Sequence, residues 1–287
     1  MPITRLTLLT NPDKCNLHCP LCFLNQRGTK FGMGEMPFEI AETAIQKYAA
    51  TLKEIIPSTM GEPLLYSHFD DLLELCETLK IPLNITTNGT FPGISVSHLL
   101  RVSSDIKISC MGFSEETFRE MMPGVSFYSW KLNVLAAVAM RDELRKKNEH
   151  SATLSLQVTL HKKNVDEAAA ILDFAEQIGI DRIKWNPAVF LGDVAKQFRE
   201  QYELSMAELA ALREKLKSAR LYSSGSLFFK NAPSTQKNSI EKKCRRFENE
   251  LWILPDGSVE HCPNPERRFG NAQNVAALCS DCPMYGP

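Results

Sequence analysis

Stretches with strand character and stretches with helix character alternate six times over the first two-thirds of this 287-residue chain. The strand candidates are residues 3–9, 54–58, 83–87, 105–110, 152–160 and 181–188. Between them, residues 37–52 place Ile40, Ala44, Ile45, Tyr48, Ala49 and Leu52 at helical spacing, and residues 69–79 and 126–145 read as further helices. Ser114 can cap a short helix, and Asn164 with Glu167 has the form of a capping box opening a helix that runs to Ile178. A strand–helix repeat of this length predicts an α/β fold, a parallel sheet with helices outside. Right-handed crossovers would curl six such units into a partial (β/α)6 TIM-like barrel. Parallel barrels carry their chemistry on loops at the carboxyl ends of the strands. Residues 15–30, read as a loop after the first strand, fall on that rim.

The remainder has a different texture. Ser205 and Glu208 can cap a helix to about residue 219, and residues 223–239, rich in Ser, Asn and Lys, read as a linker. Residues 251–254 and 258–261 flank Pro255-Asp256-Gly257 and form a hairpin pattern with a tight turn. The expected division is a barrel over 1–195, a linker with a helix over 196–240, and a small C-terminal hairpin/helix unit over 241–287.

Hydrophobic residues make up 44% of the chain, enough for a substantial core. The formal net charge of -1 offers no basic excess, so nucleic acid is not an expected partner. Residues 134–140 are among the longest apolar runs, far short of a membrane span, and the N-terminus lacks the pattern of a secretory signal. A soluble, cytoplasmic protein is expected. In that compartment nine cysteines point toward metal rather than disulfides. Three lie at 15, 19 and 22 and four at 244, 262, 279 and 282, while Cys76 and Cys110 stand apart. Two metal sites at opposite ends of the chain follow from this spacing.

Cys15-x3-Cys19-x2-Cys22 offers three thiolates on one loop. A structural zinc site is normally closed by four ligands, and the nearest fourth, His18, adjoins Cys19 and cannot readily share its metal. A four-iron, four-sulfur cube held by three cysteines keeps one iron open. A zinc knuckle, or three unrelated buried thiols, is the alternative reading.

This triplet resembles that of the radical S-adenosylmethionine (SAM) enzymes. The resemblance implies that the open iron chelates the amino and carboxylate groups of SAM. The reduced cluster then passes one electron to the sulfonium, and the resulting 5'-deoxyadenosyl radical takes a hydrogen atom from the substrate. A flavodoxin- or ferredoxin-type protein would be the reductant. The family usually has an aromatic residue just before the third cysteine; here that position is Leu21, with Phe23 one past Cys22, so Phe23 is the candidate adenine contact. Gly61-Glu62-Pro63 resembles the family's Gly-Gly-Glu-Pro motif, with Met60 in place of the first glycine. By resemblance Glu62 and nearby backbone bind the ammonium of SAM, a charge-assisted contact, and Gly61 permits close approach. Thr86-Thr87-Asn88-Gly89 matches a Thr-Asn-Gly that faces the cofactor in the family, and also reads as a plain turn. Ser109 stands where the family often has a cofactor-contacting serine. Gln157 or Thr159, and Asn186, could face the lumen or be satisfied core residues.

Cys244, Cys262, Cys279 and Cys282, with the hairpin between the first two, can close a metal cage. They resemble the shortened "twitch" form of the SPASM extension, which implies one auxiliary [4Fe-4S] cluster that relays an electron or walls the active site. A zinc ribbon has similar spacing.

Neither part names a substrate. With fourteen residues before Cys15 and no fused peptide-recognition domain expected, a small polar substrate of sugar or aminocyclitol type is the first expectation. The activity would be that of an oxidoreductase or epimerase. A ribosomal peptide, epimerised or cross-linked with help from a separate recognition chain, is the second, and a non-catalytic zinc-binding module the third. For epimerisation Cys110 is the candidate hydrogen donor, with a buried structural thiol as its other reading; Cys76 reads as core. Lys242, Lys243, Arg245 and Arg246 could bind a substrate anion or form a solvated face.

Overall fold

The computed structural model describes residues 2–27, 32–58, 60–190, 196–216, 221 and 249–260. In chain order the elements are β1 (Arg5–Leu8), α1 (Phe23–Arg27), α2 (Phe38–Tyr48), β2 (Glu54–Ile56), α3 (Phe69–Leu79), β3 (Leu83–Thr87), α4 (Val96–Val102) and β4 (Ser103–Cys110). They continue with α5 (Glu115–Met121), α6 (Phe127–Lys146), β5 (Thr153–Leu160), α7 (Ala168–Ile178), β6 (Arg182–Pro187), α8 (Lys196–Tyr202), α9 (Met206–Leu216), β7 (Glu250–Ile253) and β8 (Val259–Glu260). Among the described residues, the strands form one sheet in the order β6-β5-β4-β3-β2-β1-β7-β8. β1 to β6 pair in parallel and in sequence, as the expected partial (β/α)6 barrel requires.

Strand alternation divides the sheet into two faces. Leu6, Leu8, Ile55, Leu83, Ile106 and Ile108 are buried among helix residues such as Leu72, Trp130, Val134 and Ile171 in one continuous core. The opposite, concave face is polar. Each fully buried aliphatic or aromatic side chain of the core contributes roughly 1.5–3 kcal/mol, so this packing dominates the fold's stability.

Local chemistry sets the helix starts. Ser95, Ser114 and Ser126 each accept a hydrogen bond from the backbone N–H three residues on, capping α4, α5 and α6. The capping box at Asn164 does not form. Its side chain makes no cap; it accepts from His161 N at 3.0 Å and donates to Thr159 O at 2.8 Å and Met111 O at 3.2 Å. Glu167 instead accepts from Phe113 N at 2.6 Å, and residues 165–167 form a 3-10 turn ahead of α7. Burial explains the difference: Asn164 is fully enclosed, and its amide is the partner of the Met111 carbonyl after β4 and the Thr159 carbonyl of β5.

The hairpin expected at 251–261 is present as β7 and β8, but β7 does not stand apart. It pairs in parallel with β1, from Arg5 opposite Glu250 to Leu8 opposite Ile253, and so extends the barrel sheet. Glu250 is buried there, accepting from Thr7 Oγ1 at 2.8 Å and Trp252 Nε1 at 2.7 Å. Among the described residues, no helix is long and apolar enough to cross a membrane.

Candidate cofactor site

β1 delivers the chain to the carboxyl end of the sheet, where residues 9–22 form a tight loop. Met36 N donates to Thr10 O at 2.7 Å, and Thr10 Oγ1 donates to Asn11 Oδ1 at 2.8 Å. Asn11 Nδ2 then donates to Glu62 O at 2.7 Å, and Glu62 N to Lys14 O at 2.8 Å. The two segments are therefore sewn together by one side-chain and one backbone donor. This explains Gly61, whose φ is 73°. A Cβ there would overlap Asn11 O and lie 2.7 Å from Lys14 O, so no other residue type fits without moving the cysteine loop.

Two further segments support the loop. Asn88 Nδ2 donates to Asn16 Oδ1 at 2.7 Å, and Asn16 Nδ2 donates to Thr90 Oγ1 at 3.0 Å. His18 N donates to Pro123 O at 3.3 Å, and Gly124 presses against Asn16 O, 2.8 Å from where its Cβ would lie. The Pro123-Gly124 pair shows in the sequence as a turn, but its contact with residues about a hundred positions earlier does not. Asn16 carries no such signal.

All three loop cysteines are partly buried, and burial pushes each thiol up, Cys19 to about 12 with the neighbouring Cys22 and Cys15 adding to it. Hydrogen-bond donors nevertheless point at sulfur. Leu17 N lies 3.4 Å from Cys15 Sγ and Asn88 Nδ2 4.0 Å from it, while Cys22 Sγ accepts from the backbone of Leu24 and Asn25 at the start of α1. Such donors favour thiolate, and a cationic cluster would supply the charge that burial withholds. Three cysteines on one loop are a donor set that fits an iron–sulfur cube.

Glu62 is buried beside the loop. Its carboxylate accepts from Thr87 Oγ1 at 2.8 Å, Asn88 N at 2.7 Å and Leu64 N at 3.3 Å. Burial raises its pKa to about 7 despite these donors. The arrangement joins Gly61-Glu62-Pro63 to Thr87-Asn88 across the ends of β2 and β3, as the two motifs require. Pro63 opens a buried 3-10 turn that fixes the loop. Gly89, φ 80°, lets the chain pass under Trp130.

Ser109 and Gln157 are register partners on β4 and β5 and lie half-buried on the concave face, as do Thr159 and Asn186 on β5 and β6. Phe23 opens α1, and its side chain falls outside the described residues, as do Cys244, Cys262, Cys279, Cys282 and the basic residues around Cys244. Of the two readings of Cys110, its position matches the buried structural thiol. Alternation turns it to the helix side of β4, where it is fully buried, raised to about 12 by desolvation, and donates to Gly112 O at 3.4 Å. Cys76 on α3 is core, as expected.

Comparison with known proteins agrees with this geometry. Residues 12–175 match the model of the radical SAM superfamily. The PqqA peptide cyclase of Streptomyces rochei is 23% identical over 270 residues, which is 89% of this chain and 68% of that protein. The Fe-coproporphyrin III synthase of Methanosarcina barkeri is 25% identical over 197 residues, 69% of this chain and 47% of that protein. Among solved structures, Streptococcus suis SuiB bound to its precursor peptide SuiA superposes with a TM-score of 0.68 at 19% identity, covering 99% of this chain and 66% of SuiB. The matched region spans the cysteine loop, the Gly-Glu-Pro turn and the strands between them, more than half the chain, and the chain belongs to the radical SAM superfamily, whose members bind a [4Fe-4S] cluster and SAM.

Proposed function

We propose that this radical SAM enzyme modifies a ribosomally made peptide. The observation that carries the reading is coverage. Similarity to the peptide cyclase runs over 89% of the chain, whereas that to the porphyrin enzyme stops at 69%. SuiB, which binds its precursor peptide, matches along 99%. This shifts the substrate from the sugar or aminocyclitol type to peptide. In the same reading Cys15, Cys19 and Cys22 hold the cluster. Glu62, oriented by Thr87 and Asn88, receives the ammonium of SAM, and Ser109, Gln157 and Phe23 contact the rest of that molecule. Together the cluster and SAM supply, when bound, a 5'-deoxyadenosyl radical that removes a hydrogen atom from the substrate. Cys244, Cys262, Cys279 and Cys282 hold an auxiliary [4Fe-4S] cluster in the C-terminal unit, and a flavodoxin- or ferredoxin-type protein delivers the electron.

Cross-linking is favoured over epimerisation. Epimerisation needs a hydrogen donor at the substrate, and Cys110 faces away from the concave side. The test is anaerobic incubation of the iron-loaded enzyme with reductant, SAM and each short peptide encoded beside the gene. Loss of two hydrogen atoms from one peptide, coupled to 5'-deoxyadenosine release and abolished by Cys19→Ala, is expected. Solvent deuterium at one carbon without mass loss would establish epimerisation instead. Turnover of a sugar with all peptides unchanged would overturn the proposal.

A further inference from the structure

The concave face carries charges that the cofactor site does not use. On β4, Ile106, Ile108 and Cys110 face the helices, so Asp105, Lys107 and Ser109 face the other way. On β6, Ile183 and Trp185 are core and Lys184 is half-buried on the concave side. Two contacts show that these side chains meet on the face. Lys184 Nζ reaches Asp105 at 2.6 Å across the whole width of β5, and Lys107 Nζ donates to Asn84 of β3 while lying 4.0 Å from Asp105. Ser155 of β5 donates to the same carboxylate at 2.7 Å, and Arg182 approaches it at 3.8 Å.

The charges do not balance. Among the described residues, four cations of this face, Lys107, Lys184, Arg182 and Arg5, meet three carboxylates, Asp105, Glu54 and Glu250, which leaves one positive charge in excess. Arg5 engages Glu54 and Glu250 at 2.7 and 3.3 Å, and Glu54 also accepts from Asn84 Nδ2 at 2.6 Å. Lys107 donates to the Asn84 amide, lies 4.0 Å from Asp105 and feels the charge of Glu54, while burial with the like charge of Lys184 lowers it to about 8. Two half-buried ammonium groups side by side are stabilised by an added anion. Thr159 and Asn186 pair nearest the rim, Ser109, Gln157 and Lys184 share the next row on this face, and Lys107 lies one row deeper. A ligand entering from the rim thus meets neutral hydrogen-bonding groups first, then Lys184 level with Ser109 and Gln157, then Lys107.

We infer that Lys107 and Lys184 form a subsite for a carboxylate of the substrate. The identity of the carrier rests on the peptide reading; the carboxylate chemistry stands on the two lysines. An acidic side chain or a C-terminal carboxylate would serve equally.

The first arm of the test needs no peptide. Ligand-observed NMR follows glutarate and its neutral diamide at equal ionic strength with the iron-loaded protein. Broadening of glutarate alone, lost in Lys107→Met and kept in Lys107→Arg, is expected, with SAM affinity unchanged in all three proteins. Equal behaviour of the two probes, or of native and Lys107→Met protein, would overturn the subsite. In the second arm the processed peptide is compared with versions whose acidic side chains are amides and whose C-terminus is an amide. One change should raise KM at least about tenfold in the native enzyme and leave Lys107→Met unaltered. Glutarate broadening without any peptide turnover removes the peptide reading and keeps the subsite; peptide turnover insensitive to both changes removes the subsite.

Discussion

At the scale of single residues, Glu62 is the most informative group. It is enclosed, yet three donors address its oxygens, and the balance leaves its pKa near 7, above an ordinary 4.5. A carboxyl raised on folding supports the fold while protonated and opposes it once ionised. Its stabilisation is therefore lost as pH rises from about 4.5 toward about 7, an effect on the order of 3 kcal/mol. Between about pH 4.5 and about pH 7, SAM-free protein should lose thermal stability along a slope that flattens in Glu62→Gln. The same substitution should weaken SAM binding about tenfold or more in a calorimetric titration, because an ammonium loses its anionic partner. An unchanged slope would mean that another group carries the titration. The motif around Glu62 was readable in the sequence because its residues are contiguous. Asn16 and Gly124 were not, since each acts on the cysteine loop through a contact that chain order does not display.

At the scale of elements, two sites with the same spacing behave oppositely. Ser205 and Glu208 form the reciprocal cap expected of them, with Ser205 N donating to Glu208 Oε2 at 2.7 Å and Glu208 N to Ser205 Oγ at 3.2 Å, ahead of exposed α9. Asn164 and Glu167 turn to the interior instead. Ser205→Ala should cost about 1 kcal/mol in denaturant unfolding. Asn164→Ala removes the side-chain partner of the Thr159 carbonyl and the His161 N–H, whereas Met111 O keeps His161 Nε2 at 2.8 Å, and should cost about 2–4 kcal/mol, so equal losses would contradict the structure. Periodicity placed α3 and β3 at their observed bounds because burial follows pattern there. It missed α4, seven residues ending directly at β4, and α1, five residues starting directly after Cys22, since both are too short for a period to register.

For the whole molecule, the decisive contact is β1 with β7. The parallel six-strand barrel was legible from the alternation of elements, but nothing local says that a hairpin near residue 255 returns to the first strand. Leu251, Trp252, Ile253 and Leu254 are all buried by that return. Their burial is worth roughly 6–12 kcal/mol at ~1.5–3 each, comparable to a whole domain's stability of about 5–15. Truncation after residue 248 should also leave β1 as an open edge, so size-exclusion chromatography should show self-association. A monomeric, equally stable truncation would refute that role for β7.

The pairing of Arg5 with Glu250 spans 245 positions. At a translation speed of about 5–20 residues per second, the strand that feeds Cys15 waits on the order of ten to fifty seconds for its neighbour to leave the ribosome. Until then the nascent barrel has an unzipped side, and iron–sulfur assembly onto the growing polypeptide would meet a loop whose base is not yet clamped.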